Sequence, residues 1–255
     1  MASRHGFGIP LWRPDAPTPD SWPDDESSPL TDKPMNIEQA RFNMVEQQIR
    51  TWEVLDQNVL DLLYVVRRED FVPPAYRALA FSDLEIPLTS NAEAGERMWQ
   101  PKVEARVLQA LGVRKSDSVL EVGTGSGYLT ALLAHRARRV VSVEINPVLK
   151  TLGEKNLRSQ ELDNTCLELG DAARGWSKHG PYDVIVLTAS TPVLPQEILD
   201  QLKPGGRLFA IVGDAPVMAA RIITCRAPGS YDSVDLYETN FPALRNAAQP
   251  VRFKF

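Results

Sequence analysis

The chain has 255 residues, 43% of them hydrophobic and 24% charged, which is enough apolar material for one α/β domain with a sizeable core. Its formal net charge of −5 gives no overall reason to expect nucleic-acid binding. No apolar run approaches the length of a membrane span and the N-terminus lacks a signal peptide's apolar core, so a soluble, cytoplasmic protein with no membrane partner is expected.

Residues 1–34 differ in kind from the rest. Pro10, Pro14, Pro17, Pro19, Pro23 and Pro29 stand among Asp and Ser with no periodic apolar face, so this stretch is expected to be a disordered extension and residues 35–255 a single domain. Met35, directly after Pro34, is a candidate biological start; the alternative for the extension is a partner-binding arm using Trp12 and Trp22. From residue 36 to 51, Ile37, Ala40, Met44, Val45 and Ile49 recur at helical spacing, and a second helix over 56–65 carries Leu60, Leu62 and Leu63. Residues 35–112 are expected to form a helical cover and 113–255 the sheet beneath it. The cluster Arg67-Arg68-Glu69-Asp70 ahead of Phe71-Val72-Pro73-Pro74 reads as a solvated helix end. Gln100-Pro101 then leads into an amphipathic helix over 102–111.

Ser118 to Tyr128 reads Ser-Val-Leu-Glu-Val-Gly-Thr-Gly-Ser-Gly-Tyr, a strand, a tight turn and the start of a helix over 129–135. Glycines permit positive φ and close backbone approach, and the free amides of the helix start face the same spot, so a polar ligand belongs there. Counting from Gly123, the sixth position is Tyr128 rather than glycine, which fails the dinucleotide fingerprint, and no Gly-Lys-Ser/Thr follows, which excludes a P-loop. A strand over 139–144 ends in Glu144, where a carboxylate is placed to accept hydrogen bonds from both ribose hydroxyls. A helix over 147–159 and a strand over 165–169 lead to Gly170-Asp171-Ala172. Three acids after three successive strands suggest one adenosyl ligand.

Cys166 and Cys225 have no CxxC or Cys/His ligand spacing; both are expected to be buried, reduced residues, and no metal site is expected. Strands follow over 182–189 and from Leu202 through the structural turn Gly205-Gly206. Paired strands over 218–226 and 233–237 close the sheet, and Val251-Arg252-Phe253-Lys254-Phe255 reads as a last edge strand. The sequence holds no internal repeat, and no exposed apolar stripe points to an oligomer interface.

Glu121-x-Gly123-x-Gly125-x-Gly127 resembles motif I of class I methyltransferases that use S-adenosyl-L-methionine. Further stretches resemble the protein-L-isoaspartate O-methyltransferase family: Arg-Glu-Asp-Phe-Val-Pro with Ala80-Phe81-Ser82-Asp83, then Gln100-Pro101, residues 182–189, residues 192–195, and Leu202-Lys203-Pro204-Gly205-Gly206-Arg207-Leu208. The resemblance spans residues 36–255. It implies a doubly wound, seven-stranded α/β class I methyltransferase sheet, Rossmann-like, with an N-terminal helical cover. It implies that the cofactor is held by Glu121, Gly123, Thr124, Gly125, Ser126, Gly127 and Tyr128. Glu144 would anchor the ribose beside Ile145, Asp171 would meet the adenine amino group beside Ala172, and Met98 and Trp99 would close in. The implied activity is carboxyl methylation of L-isoaspartyl residues in damaged proteins, the start of their repair. Substrate contacts would fall on Asp83, Arg97, Thr188, Ser190 and Thr191, the last three in the loop after the fourth strand.

Two positions of one segment depart from this pattern. Aligning Gln100-Pro101 with the family's Thr-Ile-Ser-x-Pro puts Arg97 where the family has threonine and Trp99 where it has the serine regarded as its active-site residue. An indole has one donor and no acceptor, and its volume would fill the space a peptide carboxylate should enter. Either the loop 90–96 rearranges or the substrate has changed, with Trp99 stacking on the cofactor or on a flat acceptor and Arg97 gripping an anion. A buried core tryptophan is the further alternative. Another protein or small-molecule acceptor, and a cofactor-binding protein without turnover, therefore stand beside the isoaspartyl reading. The polar tail with which family members often cover the cofactor is expected to be missing, leaving closure to the N-terminal helices and the 90–99 loop.

Overall fold

A computed structural model describes residues 36–90 and 96–250. Asn36 and Asp56 each open a helix by accepting a backbone amide, from Gln39 at 3.1 Å and from Asn58 at 2.9 Å. α1 (Ile37–Asn43) runs on into a π turn at Met44–Ile49 and a 3-10 turn at Arg50–Trp52, so the expected first helix is a rod of changing pitch. α2 (Gln57–Val65) buries Val59, Leu60, Leu62 and Leu63. A short antiparallel ribbon pairs β1 (Ile86–Pro87) with β2 (Arg97–Met98). α3 (Pro101–Leu111) follows, opened by Pro101 and closed at Gly112, whose φ is 52°.

The sheet begins with β3 (Ser118–Val122), α4 (Tyr128–Arg136), β4 (Arg139–Glu144), α5 (Pro147–Arg158) and β5 (Thr165–Leu169). β6 (Tyr182–Thr191), α6 (Gln196–Leu199), β7 (Leu202–Asp214), β8 (Val217–Ala227) and β9 (Ser230–Thr239) complete it. The strand order is β5-β4-β3-β6-β7-β8-β9, parallel from β5 to β7 and antiparallel beyond. A parallel sheet must be covered on both faces. Alternation along β3 serves both: Val119 joins the core shared with α2, α3 and α4, while Leu120 and Val122 join the core of Ile198 and Leu202. Glu121 therefore projects to the face that carries the helical cover.

Four expectations change. The 67–70 cluster is not a solvated helix end, because Arg68 and Glu69 are 1% and 6% exposed and are paired with Glu104 and Arg41. Thr188 to Thr191 do not form a loop; they continue β6, with a register shift between Val186 and Ser190. Cys225 is buried, but Cys166 is only half-buried. A covering segment is present: after β9 the chain returns to the sheet, where Ser190 N donates to Pro242 O at 2.9 Å and Leu244 N to Ser190 O at 2.8 Å. Residues 1–34 with Trp12 and Trp22, most of the 90–96 loop, and the strand expected at 251–255 lie outside the described residues. Among the described residues, no helix is long and apolar enough to cross a membrane.

Candidate active site

The carboxyl ends of β3, β4 and β5 meet at one cleft with about 960 Å³ of empty space, its open mouth included. Gly123 N donates to Val143 O at 2.8 Å and holds φ at 99°, where a Cβ would lie 2.2 Å from Thr188 Oγ1. Only glycine fits that turn. Gly125 N donates to Glu144 Oε2 and Asn146 N to Glu144 Oε1, each at 3.0 Å, so one carboxylate ties the glycine loop to the start of α5. Asp171 is held likewise, Oδ1 accepting from Ala173 N at 2.9 Å and Oδ2 from Asn246 Nδ2 at 2.8 Å.

Beneath the loop Glu121 is fully buried and lines the cleft. Its Oε2 accepts from the hydroxyls of Thr130 and Ser142, while Oε1 has no partner among the described residues. Burial pushes this carboxyl up to about 8. An unpartnered carboxylate oxygen suits a cationic ligand, and carboxylates at the ends of two neighbouring strands suit hydroxyl and amino donors. Ile145, Leu149 and Ala172 add apolar surface between them. This donor set fits S-adenosylmethionine.

The facing wall comes from Leu88, the segment 96–99 and residues 242–245. Trp99 is 7% exposed and wedged edge-on against Phe209 and Phe241, with ring centroids 6.1 and 5.7 Å away. Arg97 stands half-exposed at the mouth, 3.7 Å from Glu85. Glu96 joins three segments, accepting from Thr89 Oγ1 at 2.7 Å, from Asn146 Nδ2 at 2.6 Å and from the Arg245 guanidinium.

Of the residues expected from the sequence, Met98, Trp99, Glu121, Gly123, Thr124, Gly125, Ser126, Glu144, Ile145, Asp171, Ala172, Arg97 and Thr188 line this cleft. Five do not. Gly127 caps α4, where a Cβ would press on the Gly153 carbonyl at 3.2 Å, and Tyr128 is buried between Phe71 and Arg68. Asp83 pairs with Lys102 at 2.6 Å. Ser190 Oγ donates to Phe241 O at 2.8 Å and Thr191 Oγ1 to Val193 O at 2.7 Å. Sequence reasoning missed Glu96, Asn146 and residues 242–245. Asn146-Pro147 is legible as a helix start, but the other two lie in segments without periodicity.

Away from the cleft, Cys166, Glu168 and His179 bring potential ligand atoms within 4.8 Å of one another. Lys178 Nζ lies 2.9 Å from Glu168 and an Arg139 nitrogen 3.4 Å from His179, and these cations oppose a metal ion there.

The protein-L-isoaspartate(D-aspartate) O-methyltransferase family model matches residues 39–244. A relative from Syntrophobacter fumaroxidans, named protein-L-isoaspartate O-methyltransferase 1, is 38% identical over 71% of this chain and 82% of its own length. Two solved structures share the fold. One, named protein-L-isoaspartate O-methyltransferase, superposes with a TM-score of 0.71 at 23% identity over 82% of this chain and 65% of its own. The other, from Plasmodium falciparum with S-adenosyl-L-homocysteine bound, gives 0.68 at 18% identity over 79% and 96%. The chain belongs to the protein-L-isoaspartate(D-aspartate) O-methyltransferase family.

Proposed function

We propose that this S-adenosylmethionine-dependent methyltransferase methylates the free carboxylate of L-isoaspartyl residues in damaged proteins. The observation that carries the reading is the family match over residues 39–244, which takes in every residue lining the cleft except Arg245. The cofactor supplies a methyl group on a sulfonium, already a good leaving group. A carboxylate acceptor is ionised at neutral pH, so the protein need not remove a proton from it. The work left to the chain is alignment and exclusion of water. In this reading Glu144 orients the ribose, Asp171 and Ala172 the adenine, and Glu121 faces the cationic end of the cofactor. Gly123 and Gly125 keep the loop open to it. Arg97 and Thr188 stand where the acceptor enters.

Trp99 favours a second reading, a methyltransferase of the same lineage with another protein or small-molecule acceptor. Its indole is buried on the cleft lining at the position where the family pattern is read to carry a serine, so a hydroxyl is replaced by a bulky ring. Transfer of radiolabelled methyl to an isoaspartyl peptide and to its aspartyl twin separates the readings. Base-labile label on the isoaspartyl peptide alone is expected from the wild type. Bound cofactor with no label, and label gained in Trp99→Ser, would show that the acceptor has changed and that Trp99 is the cause.

A further inference from the structure

Arg68 is 1% exposed, and its guanidinium meets three separate parts of the fold. It donates to the Glu104 carboxylate on α3 and to the main-chain carbonyl of Trp99, and it lies over the ring of Tyr128 with 5.2 Å to the centroid. Tyr128 is the first residue of α4, directly behind the glycine loop. One side chain therefore spans the loop that faces the cofactor and the backbone of the opposite wall.

Charge neutralisation accounts for Glu104 but not for the bond to Trp99. A buried ion pair is weak evidence of stabilisation, since apolar residues of similar volume often serve as well or better. The carbonyl bond does something an apolar pair would not do: it fixes the backbone of residues 97–99 relative to α4. We propose that Arg68 is a positioning residue for methyl transfer, setting the distance between the 97–99 wall and the glycine loop. This rests on the reading above that the cleft transfers a methyl group to a carboxylate. Because alignment supplies most of the rate, a wall displaced by about 1 Å is expected to cost up to about 100-fold.

The test uses the full chain, with Arg68→Met/Glu104→Met, which leaves no unpaired charge, beside Arg68→Lys, which keeps the cation. Both are expected to fold and to bind S-adenosylmethionine, Arg68→Lys within about threefold of wild type because it leaves every cleft-lining residue in place, and the double variant more weakly because Glu104 itself lines the cleft. In the double variant kcat for an isoaspartyl peptide is expected to fall by about tenfold or more, with partial recovery in Arg68→Lys. Hydrogen exchange is expected to quicken at residues 97–100 and to stay unchanged along β3. A folded double variant with wild-type kcat and wild-type exchange at 97–100 would overturn the proposal. So would failure of both variants to fold, which would make the pair purely structural. A wild type that leaves the isoaspartyl peptide unlabelled would instead defeat the acceptor reading, and the exchange measurement would still decide the positioning role.

Discussion

The two walls of the cleft are built by different means. One is local: strand ends, a glycine turn and the residues after β4 and β5 supply it from a single stretch of chain between Glu121 and Ala173. The other is assembled from a distance, by Leu88, residues 96–99, residues 242–245 and the Arg68 bridge. The first is held within one stretch, by strand pairing and the Glu144 carboxylate, and the second by bonds between remote segments, side-chain and main-chain alike. The residues expected from the sequence to bind the cofactor lie in the first, and Arg97 and Trp99, which that reading sets against the family's threonine and serine, lie in the second.

The largest expected effect breaks the local wall. Gly123→Val places a Cβ 2.2 Å from Thr188 Oγ1 at a φ of 99° and should weaken S-adenosylmethionine binding by about 100-fold or more, read by calorimetry. Glu144→Ala removes the carboxylate that joins Gly125 to Asn146 and should weaken binding by roughly 1–3 kcal/mol, or about 5- to 150-fold. Unchanged affinity in both variants would remove this wall from the cofactor site.

Glu121 sharpens the comparison through pH. A cationic ligand favours its ionised form, so affinity for S-adenosylmethionine should rise from pH 7 to 9, by up to about tenfold, with protons released on binding; Glu121→Gln should abolish the trend. The same carboxyl bears on stability. Its folded value of about 8 lies above the ordinary 4.5, so between those limits the folded chain holds a proton that the unfolded chain has lost. This contribution to stability is full below pH 4.5 and declines as pH rises towards 8, and Glu121→Gln should flatten that decline in thermal melts.

The smallest effect belongs to the remote wall. Arg245→Ala breaks the half-exposed pair with Glu96 and should cost about 0.2–1 kcal/mol in cofactor affinity, less at high salt. A loss as large as that in Glu144→Ala would erase the distinction between the walls.

Legibility in the sequence follows the same division. β4 and β5 lie where the sequence places them, at Arg139–Glu144 and Thr165–Leu169, because short runs of strand-forming residues bounded by turn residues define strands locally, β4 buried and β5 half-buried at the sheet edge. Glu121, Glu144 and Asp171 lie at or just past the ends of β3, β4 and β5. Gly127 and Tyr128 share the motif yet serve helix packing, since spacing alone does not say which side of a turn faces a ligand. Arg68 was illegible for a different reason: its burial is decided by Glu104, 36 residues away, not by the charges beside it. Residues 242–245 have no periodicity, and their place is set by main-chain bonds to Ser190.

Those bonds give the cleft a timetable. Ser190 docks a segment made 51 residues after it, so the glycine loop and β3 to β6 are synthesised after Leu88 and residues 96–99 but well before residues 242–245, the last part of the opposing wall. Because chains fold in the order of synthesis where they can, the sheet has the means to assemble while the cleft is still open on one side. Closure of the cleft by this segment, unlike formation of β3 to β6, must await the arrival of residues 242–244.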